Sequence, residues 1–159
     1  MAVNTSLGIR IYIGTTTVAT DASEYEADTY TEVGEVENHG EFGDSFNPVT
    51  FTDLKSGRAR GFKGTVDGGN FDLTVGLDKG DTGQAALLAA KNDKGSGDYN
   101  IKVELTDGDA NASPVVENTV VYFPAKVMSY RYQGNNADGI PRVLISLYVN
   151  GDLVEVDAA

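Results

Sequence analysis

Residues 71–91, FDLTVGLDKGDTGQAALLAAK, change period partway along. Phe71, Leu73, Val75 and Leu77 share one parity, with Asp72 and Thr74 on the other. A period of two sends the first set to a core and the second to water, the mark of a half-buried strand. From Asp81 the pattern turns helical. Asp81 can cap, Gln84 stands three positions on, and AALLAAK is a run of strong helix formers closed by Lys91, with Gly95 downstream. The spacing predicts a helix over 81–92, and its short apolar stripe suits a helix that covers one face or opening of a sheet.

Outward from this stretch the period-two pattern dominates. Ile9, Ile11 and Ile13 form one stripe, and Ile101, Val103 and Leu105 another, opposed by Lys102, Glu104 and Thr106. TVVYFPAKVM (119–128) and VLISLYV (143–149) are apolar on nearly both faces, as expected of central strands or strands entering a subunit contact. Asp67-Gly68-Gly69 reads as a hairpin turn before Phe71, and Asn150-Gly151 as a type I′ turn leading into LVEV. In TEVGEVE (31–37) Val33 and Val36 fall on opposite parities, so a bulge near Gly34 is expected, leaving Glu32, Glu35 and Glu37 on the outer face. The fold class that follows is mainly β within α+β. It is an antiparallel β-sandwich or barrel of about eight strands with one flanking α-helix.

Composition narrows the function. The chain has 159 residues and a mass of 16.8 kDa, and a chain of this length buries roughly two-thirds of its unfolded surface. It has no cysteine, which excludes disulfides and thiolate chemistry. The first residues, MAVNTSLGIRIYIG, lack the basic-then-apolar pattern of a secretory leader, and no apolar run reaches the ~18 residues of a membrane span. A soluble product made in the cytoplasm is expected. Its net charge is −12, which argues against a general nucleic-acid binder, whose affinity rests on cations meeting phosphates. The charge is uneven. Asp21 to Asp44 hold nine acids and no Lys or Arg, whereas KSGRARGFK (55–63) holds four cations and no acid. Two oppositely charged patches of this kind suit either two solvated loops or complementary faces of an assembly.

Chemistry finds little support. EVGEVENHGEFGD (32–44) carries five carboxylates and the chain's only histidine, His39, which is expected in an exposed turn among glycines rather than in a triad. In DGDANASPVVEN (107–118), Asp107, Asp109 and Asn111 occupy calcium-loop positions 1, 3 and 5. However, position 6 is Ala112 rather than Gly, position 12 is Asn118 rather than Glu, and Pro114 intrudes. The glycines at 57, 61, 64, 68 and 69 match neither phosphate-binding fingerprint. Acid pairs for glycoside hydrolysis arise by chance in so acidic a chain, and there is no Trp for a sugar platform. No enzyme activity, cofactor or metal is expected. A lectin-like β-sandwich binding module is the alternative to a structural protein.

A longer pattern points to a structural protein. YTEVGEV…GEFG, the V-x-FT-x-L-x-x-GR-x-R stretch of 49–60, KGT-x-D-x-G (63–69), LTVGLD (73–78) and D-x-GQAALLAA (81–90) together resemble the tail tube proteins of long-tailed bacteriophages. The similarity runs from about Ile9 to Lys91, and the rest agrees in length and strand character. The resemblance implies a small β-sandwich or barrel with a flanking helix, a fold shared with tube proteins of contractile secretion systems. It implies homo-hexameric rings that stack into the hollow tube of a virion, through which double-stranded DNA passes without sticking. Expected partners are the tape-measure protein, the tail terminator and the distal tail protein, with no membrane insertion. Residues 1–159 are expected to form a single tube domain without the additional immunoglobulin-like domain of some relatives.

On this reading Glu32, Glu35, Glu37, Asp72 and Glu104 are candidates to face the lumen. Residues 46–66 look like a long hairpin arm, with Phe51, Leu54 and Phe62 as apolar anchors beside Lys55, Arg58, Arg60 and Lys63. This arm is expected to reach a neighbouring subunit or ring, with strand 119–128 as a second contact. Both the arm and ASEYEAD (22–28) are expected to be disordered before assembly, delaying it.

Overall fold

The computed structural model describes residues 5, 7–134 and 136–157. Its elements follow in the order β1 (Arg10–Ile13), α1 (Ala22–Ala27), β2 (Thr31–Val33), β3 (Val36–His39), β4 (Ser45–Thr52), β5 (Ala59–Asp67), β6 (Asn70–Gly76), α2 (Thr82–Asn92), β7 (Tyr99–Glu104), β8 (Val120–Gln133), β9 (Arg142–Val149) and β10 (Val154–Val156). The mainly β, antiparallel architecture with a flanking helix is as the sequence predicts. Eight strands form one sheet in the order β2-β1-β7-β8-β9-β6-β3, with β10 beside β8, and β4 pairs with β5 in a separate ribbon.

Chain length forces the large sheet to roll. Seven strands laid flat would hold the outermost two about 29 Å apart at ~4.8 Å per neighbour. Yet β2 ends at Val33 and β3 begins at Val36, and three residues reach at most about 11 Å. The two ends of the sheet therefore meet, and its inner face becomes the core. The stripes converge there: Ile11, Ile13, Phe71, Leu73, Val75, Ile101, Val103, Val143, Ile145 and Leu147 are all buried. Phe71 meets Phe42 and Phe123 edge-on, with ring centroids 5.4 and 5.6 Å apart, a geometry that adds about 1 kcal/mol per pair beyond area burial.

The junction between β2 and β3 is a corner rather than the expected bulge. Glu35 adopts φ 58, and the strand that paired with β1 leaves it to pair with β6. A register shift does occur, but between Val36 and Asn38. Helix α2 closes this corner. The Asp81 carboxylate caps the helix by accepting from the Gln84 N–H (2.9 Å), and the same oxygen accepts from the Gly34 N–H (3.0 Å). The buried Gln84 side chain donates to the carbonyls of Gly34 (3.2 Å) and Gly76 (2.8 Å) and accepts from the Asp78 N–H (3.1 Å). Gln84 thus does not complete a capping box; it satisfies backbone that the corner would leave bare.

Two turns differ from expectation for a common reason. β6 lies between β3 and β9, so both its edges are taken. Asp67-Gly68-Gly69 therefore bends the chain from β5 into β6 without pairing them, and β5 turns to β4 instead. β9 is likewise filled on both sides, so Asn150-Gly151 does not make a hairpin. β10 crosses to β8, pairing at Val120–Tyr122, beyond the stretch of β8 that β9 occupies. The strands predicted as central, β8 and β9, are central.

Segment 22–28 is likewise ordered, as helix α1 and its C-cap. Asp21 caps α1, and Tyr25 is buried against Tyr122 with ring centroids 5.4 Å apart. The buried Asn100 amide donates to the Thr17 carbonyl (2.8 Å) and the Asp28 carboxylate (2.9 Å), which also accepts from Thr15. Burial alone would raise the Asp28 carboxyl, but the hydrogen bonds from Thr15, Asn100 and the Thr29 N–H outweigh it and hold it below its ordinary value of 3.8. A depressed folded value means the stabilisation is present at neutral pH and is lost as pH falls through that value. Asp28→Asn should therefore lower the urea midpoint at about pH 7, and the gap to the unmodified protein should close by about pH 2. A gap that persists in acid would show that Asp28 acts through shape alone.

Candidate functional site

Every residue of β4 is exposed, as are all those of β5 except the half-buried Gly64. The local sequence explains the ribbon. Val49 faces Phe62 and Phe51 faces Arg60 across the two strands, so one side carries three large apolar groups and a guanidinium. Arg60 lies over the Phe51 ring at 5.9 Å, and Lys63 over the Phe46 ring at 4.9 Å. Gly64 leaves no room for a side chain, because a Cβ would sit 2.7 Å from the Asn47 carbonyl oxygen. Pro48 stands on β4, whose second edge is unpaired, a place where a strand tolerates a missing N–H. At the tip, the Gly57 N–H donates to the Asp53 carbonyl (2.7 Å), and Gly57 takes φ 66, which suits glycine.

The arm predicted over 46–66 is therefore a paired ribbon over 45–67, not a disordered loop. Phe51 and Phe62 are each 57% exposed and Leu54 at the tip is fully exposed. A two-stranded hairpin is marginal by itself, and Phe46, Val49 and Val66 are also about half exposed. Ion pairs among the described residues join Arg10 to Glu32, Lys126 to Asp98 and Arg142 to Glu37. None of them uses Lys55, Arg58, Arg60 or Lys63.

The five candidate acids do not form one cluster. Glu32 and Glu104 project from the outer face of β2-β1-β7. There Arg10 lies 3.9 Å from Glu32, and Glu104 accepts from the Tyr12 hydroxyl (3.3 Å) and the Asn118 amide (3.0 Å). Glu37 is bound by Arg142. Glu35 sits exposed at the corner, where its carbonyl accepts from the Gly76 N–H. Asp72 is exposed on β6, in register with Ser146 of β9, and that residue is in register with Ser129 of β8. The next row runs from Thr74 through Leu144 to Arg131, so the Asp72 face also carries an exposed cation. Among the described residues Glu35 and Asp72 are the two candidates whose carboxylates have neither a hydrogen bond nor an ion pair, whereas Glu32 and Glu37 are paired with arginines and Glu104 accepts from Tyr12 and Asn118.

His39 is half-buried at the end of β3, its ring 6.1 Å from Phe71 and 6.4 Å from Phe42, which corrects the expected exposed turn. Among the described residues no group of three or more His, Cys, Asp or Glu is placed to hold a metal ion. No helix of the described residues is long and apolar enough to cross a membrane. Sequence reading missed the acids that ring the base of the arm, Glu41, Asp44 and Asp152. Glu41 and Asp44 are near neighbours in the chain, but Asp152 is distant and joins Asp44 on one groove only because β9 ends beside β5.

The rolled antiparallel sheet, with a helix across its corner and a projecting ribbon, matches solved tail tube and tube-terminator chains at the level of the fold. No family model and no curated protein matches the chain. Among solved structures, it is similar to a chain of the sheath/tube terminator of an extracellular contractile injection system, with a TM-score of 0.70 and 14% identity over 98% of both chains. It is also similar to the SPP1 tail tube, with a TM-score of 0.63 and 17% identity, covering 94% of this chain and 76% of that one. A chain from the tail of an empty gene transfer agent particle gives a TM-score of 0.65 and 13% identity, over 97% of this chain and 99% of that one.

Proposed function

We propose that this protein is a structural tail tube subunit whose copies close into hexameric rings, and that the rings stack into a conduit for double-stranded DNA. The exposed arm carries this reading. Phe51, Leu54 and Phe62 stand beside cations with no ion pair, on a ribbon too small to hold itself rigid. Such a surface is complete only against another molecule. The fold shared with tube and tail components supplies the class of assembly. Open stacking of rings is a heterologous contact that does not terminate, so it yields a filament.

The acidic balance suits the conduit. Duplex DNA presents about one phosphate every ~1.7 Å of axis, and a lysine-rich bore would bind it at every ring. Like-sign repulsion acts over a Debye length of ~8–10 Å at physiological salt, so a thin water layer keeps DNA free. Glu32, Glu35, Glu37, Asp72 and Glu104 are the proposed lining, with Asp72 and Glu35 contributing most because, among the described residues, no ion pair or hydrogen bond engages their carboxylates. Negative-stain microscopy of concentrated protein tests the assembly: rings and tubes are expected, and dispersed particles at every concentration would overturn it. For the lining, Asp72→Lys with Glu32→Lys should assemble and slow DNA ejection. Unchanged ejection speed would remove both residues from the bore.

A further inference from the structure

Two open grooves adjoin at the base of the arm. One, of about 290 Å³, is lined by Asp44, Asp67, Tyr148 and Asp152, and the other, of about 480 Å³, by Glu41, Phe42, Asp44 and Asp67. No Lys or Arg lines either groove. Asp67 accepts from the Gly69 N–H (2.9 Å) and the Tyr148 hydroxyl (3.0 Å), bonds that hold its carboxyl below the usual range and keep it charged at neutral pH. The other end of the ribbon is the complement. The arm over 45–67 carries four cations and two acids, a net of +2, so the other residues carry −14 of the total of −12.

We infer that the arm tip of one copy, where Lys55 and Arg58 follow the apolar Leu54, seats in the acidic grooves at the arm base of a second copy. Within one copy the contact cannot form. From Ser45 to Thr52 the strand runs out about 23 Å at ~3.3 Å per residue before the turn that carries Lys55, and a paired ribbon does not fold back on its own root. Among the described residues no ion pair engages Lys55 or Arg58 at the tip, or Asp44, Asp67 or Asp152 at the base. Phe42 and Tyr148 give the grooves an apolar wall for Leu54. The two surfaces are different patches of the same chain, so the contact is head-to-tail and repeats without closing. This deepens the tube reading and rests on it for its setting: the contact would join one ring to the next.

Charge reversal with mixing tests it. Lys55→Glu with Arg58→Glu alters the tip, and Asp44→Lys with Asp152→Lys alters the grooves. Each double variant alone should need at least about tenfold more protein to form tubes, because like charges then face each other. An equimolar mixture should assemble within about threefold of the unmodified protein, since each variant's tip then meets the other's groove with opposite sign. Assembly in the mixture also shows that both variants are folded. Tubes from either variant alone at the unmodified concentration would overturn the inference, and so would a mixture that stays dispersed. If the unmodified protein forms no tubes at all, the tube reading itself fails, an outcome distinct from both.

Discussion

Alanine at position 83 is expected to destabilise this protein by about 3 kcal/mol, against a helix-propensity expectation of about 1 kcal/mol gained. The sign is what decides between the two effects. Gly83 is the second residue of α2, and a Cβ there would lie 2.1 Å from the Glu32 carbonyl oxygen and 2.5 Å from the Val33 Cα. Both atoms belong to the backbone of β2, which cannot rotate away as a side chain would. The helix must withdraw, and withdrawal stretches the bonds of Asp81 and Gln84 to the corner at Gly34. For a chain of this size the loss corresponds to a fall of about 10 °C in the melting temperature. Ala85→Gly, at an exposed position of the same helix, gives the comparison: it removes a methyl group that touches no strand and should cost only about 1 kcal/mol. A Gly83→Ala protein that melts at or above the unmodified one would show that α2 does not rest on β2 so closely.

Reversing two charges on the arm should abolish tube growth while leaving the fold intact. Arg58→Glu with Arg60→Glu turns the arm from net +2 to net −2, so it would repel a surface that is strongly acidic elsewhere. Both positions are exposed and lie outside the core, so the melting curve should stay within about 1 °C. Arg60 also leaves the Phe51 ring, a loss confined to the ribbon. Light scattering and microscopy at a concentration where the unmodified protein forms tubes would read the effect. Unimpaired polymerisation would detach the arm from assembly.

Neither effect is legible from the same place. The arm variant follows from KSGRARGFK beside FTDL, because charge and apolarity without a predicted core partner are visible in the chain itself. Gly83 gives no such signal, since the sequence shows only a glycine near the start of a helix. Its role depends on β2, fifty residues earlier, and no local pattern states that distance. The same limit explains His39, whose glycine neighbours suggested a turn while Phe42 and Phe71 give it a half-buried seat.

Alternating Ile11 and Ile13, Phe71 to Val75, and Ile101 and Val103 determined by themselves that this would be an antiparallel, one-face-buried sheet. AALLAAK determined its helix. Side-chain alternation is a property of the extended backbone and does not await a partner. Which strand pairs with which was decided only in three dimensions. Asn150-Gly151 and Asp67-Gly68-Gly69 have the composition of hairpins, yet one strand at each turn, β9 and β6, already has both edges filled. The corner at Gly34 and Glu35 is of the same kind, set by the need of a rolled sheet to bring its ends together and by the carboxylate of Asp81 and the amide of Gln84 that hold it. Hydrogen-bonding capacity along an edge is finite, and its allocation depends on the whole sheet, so local sequence names the strands and tertiary structure assigns their neighbours.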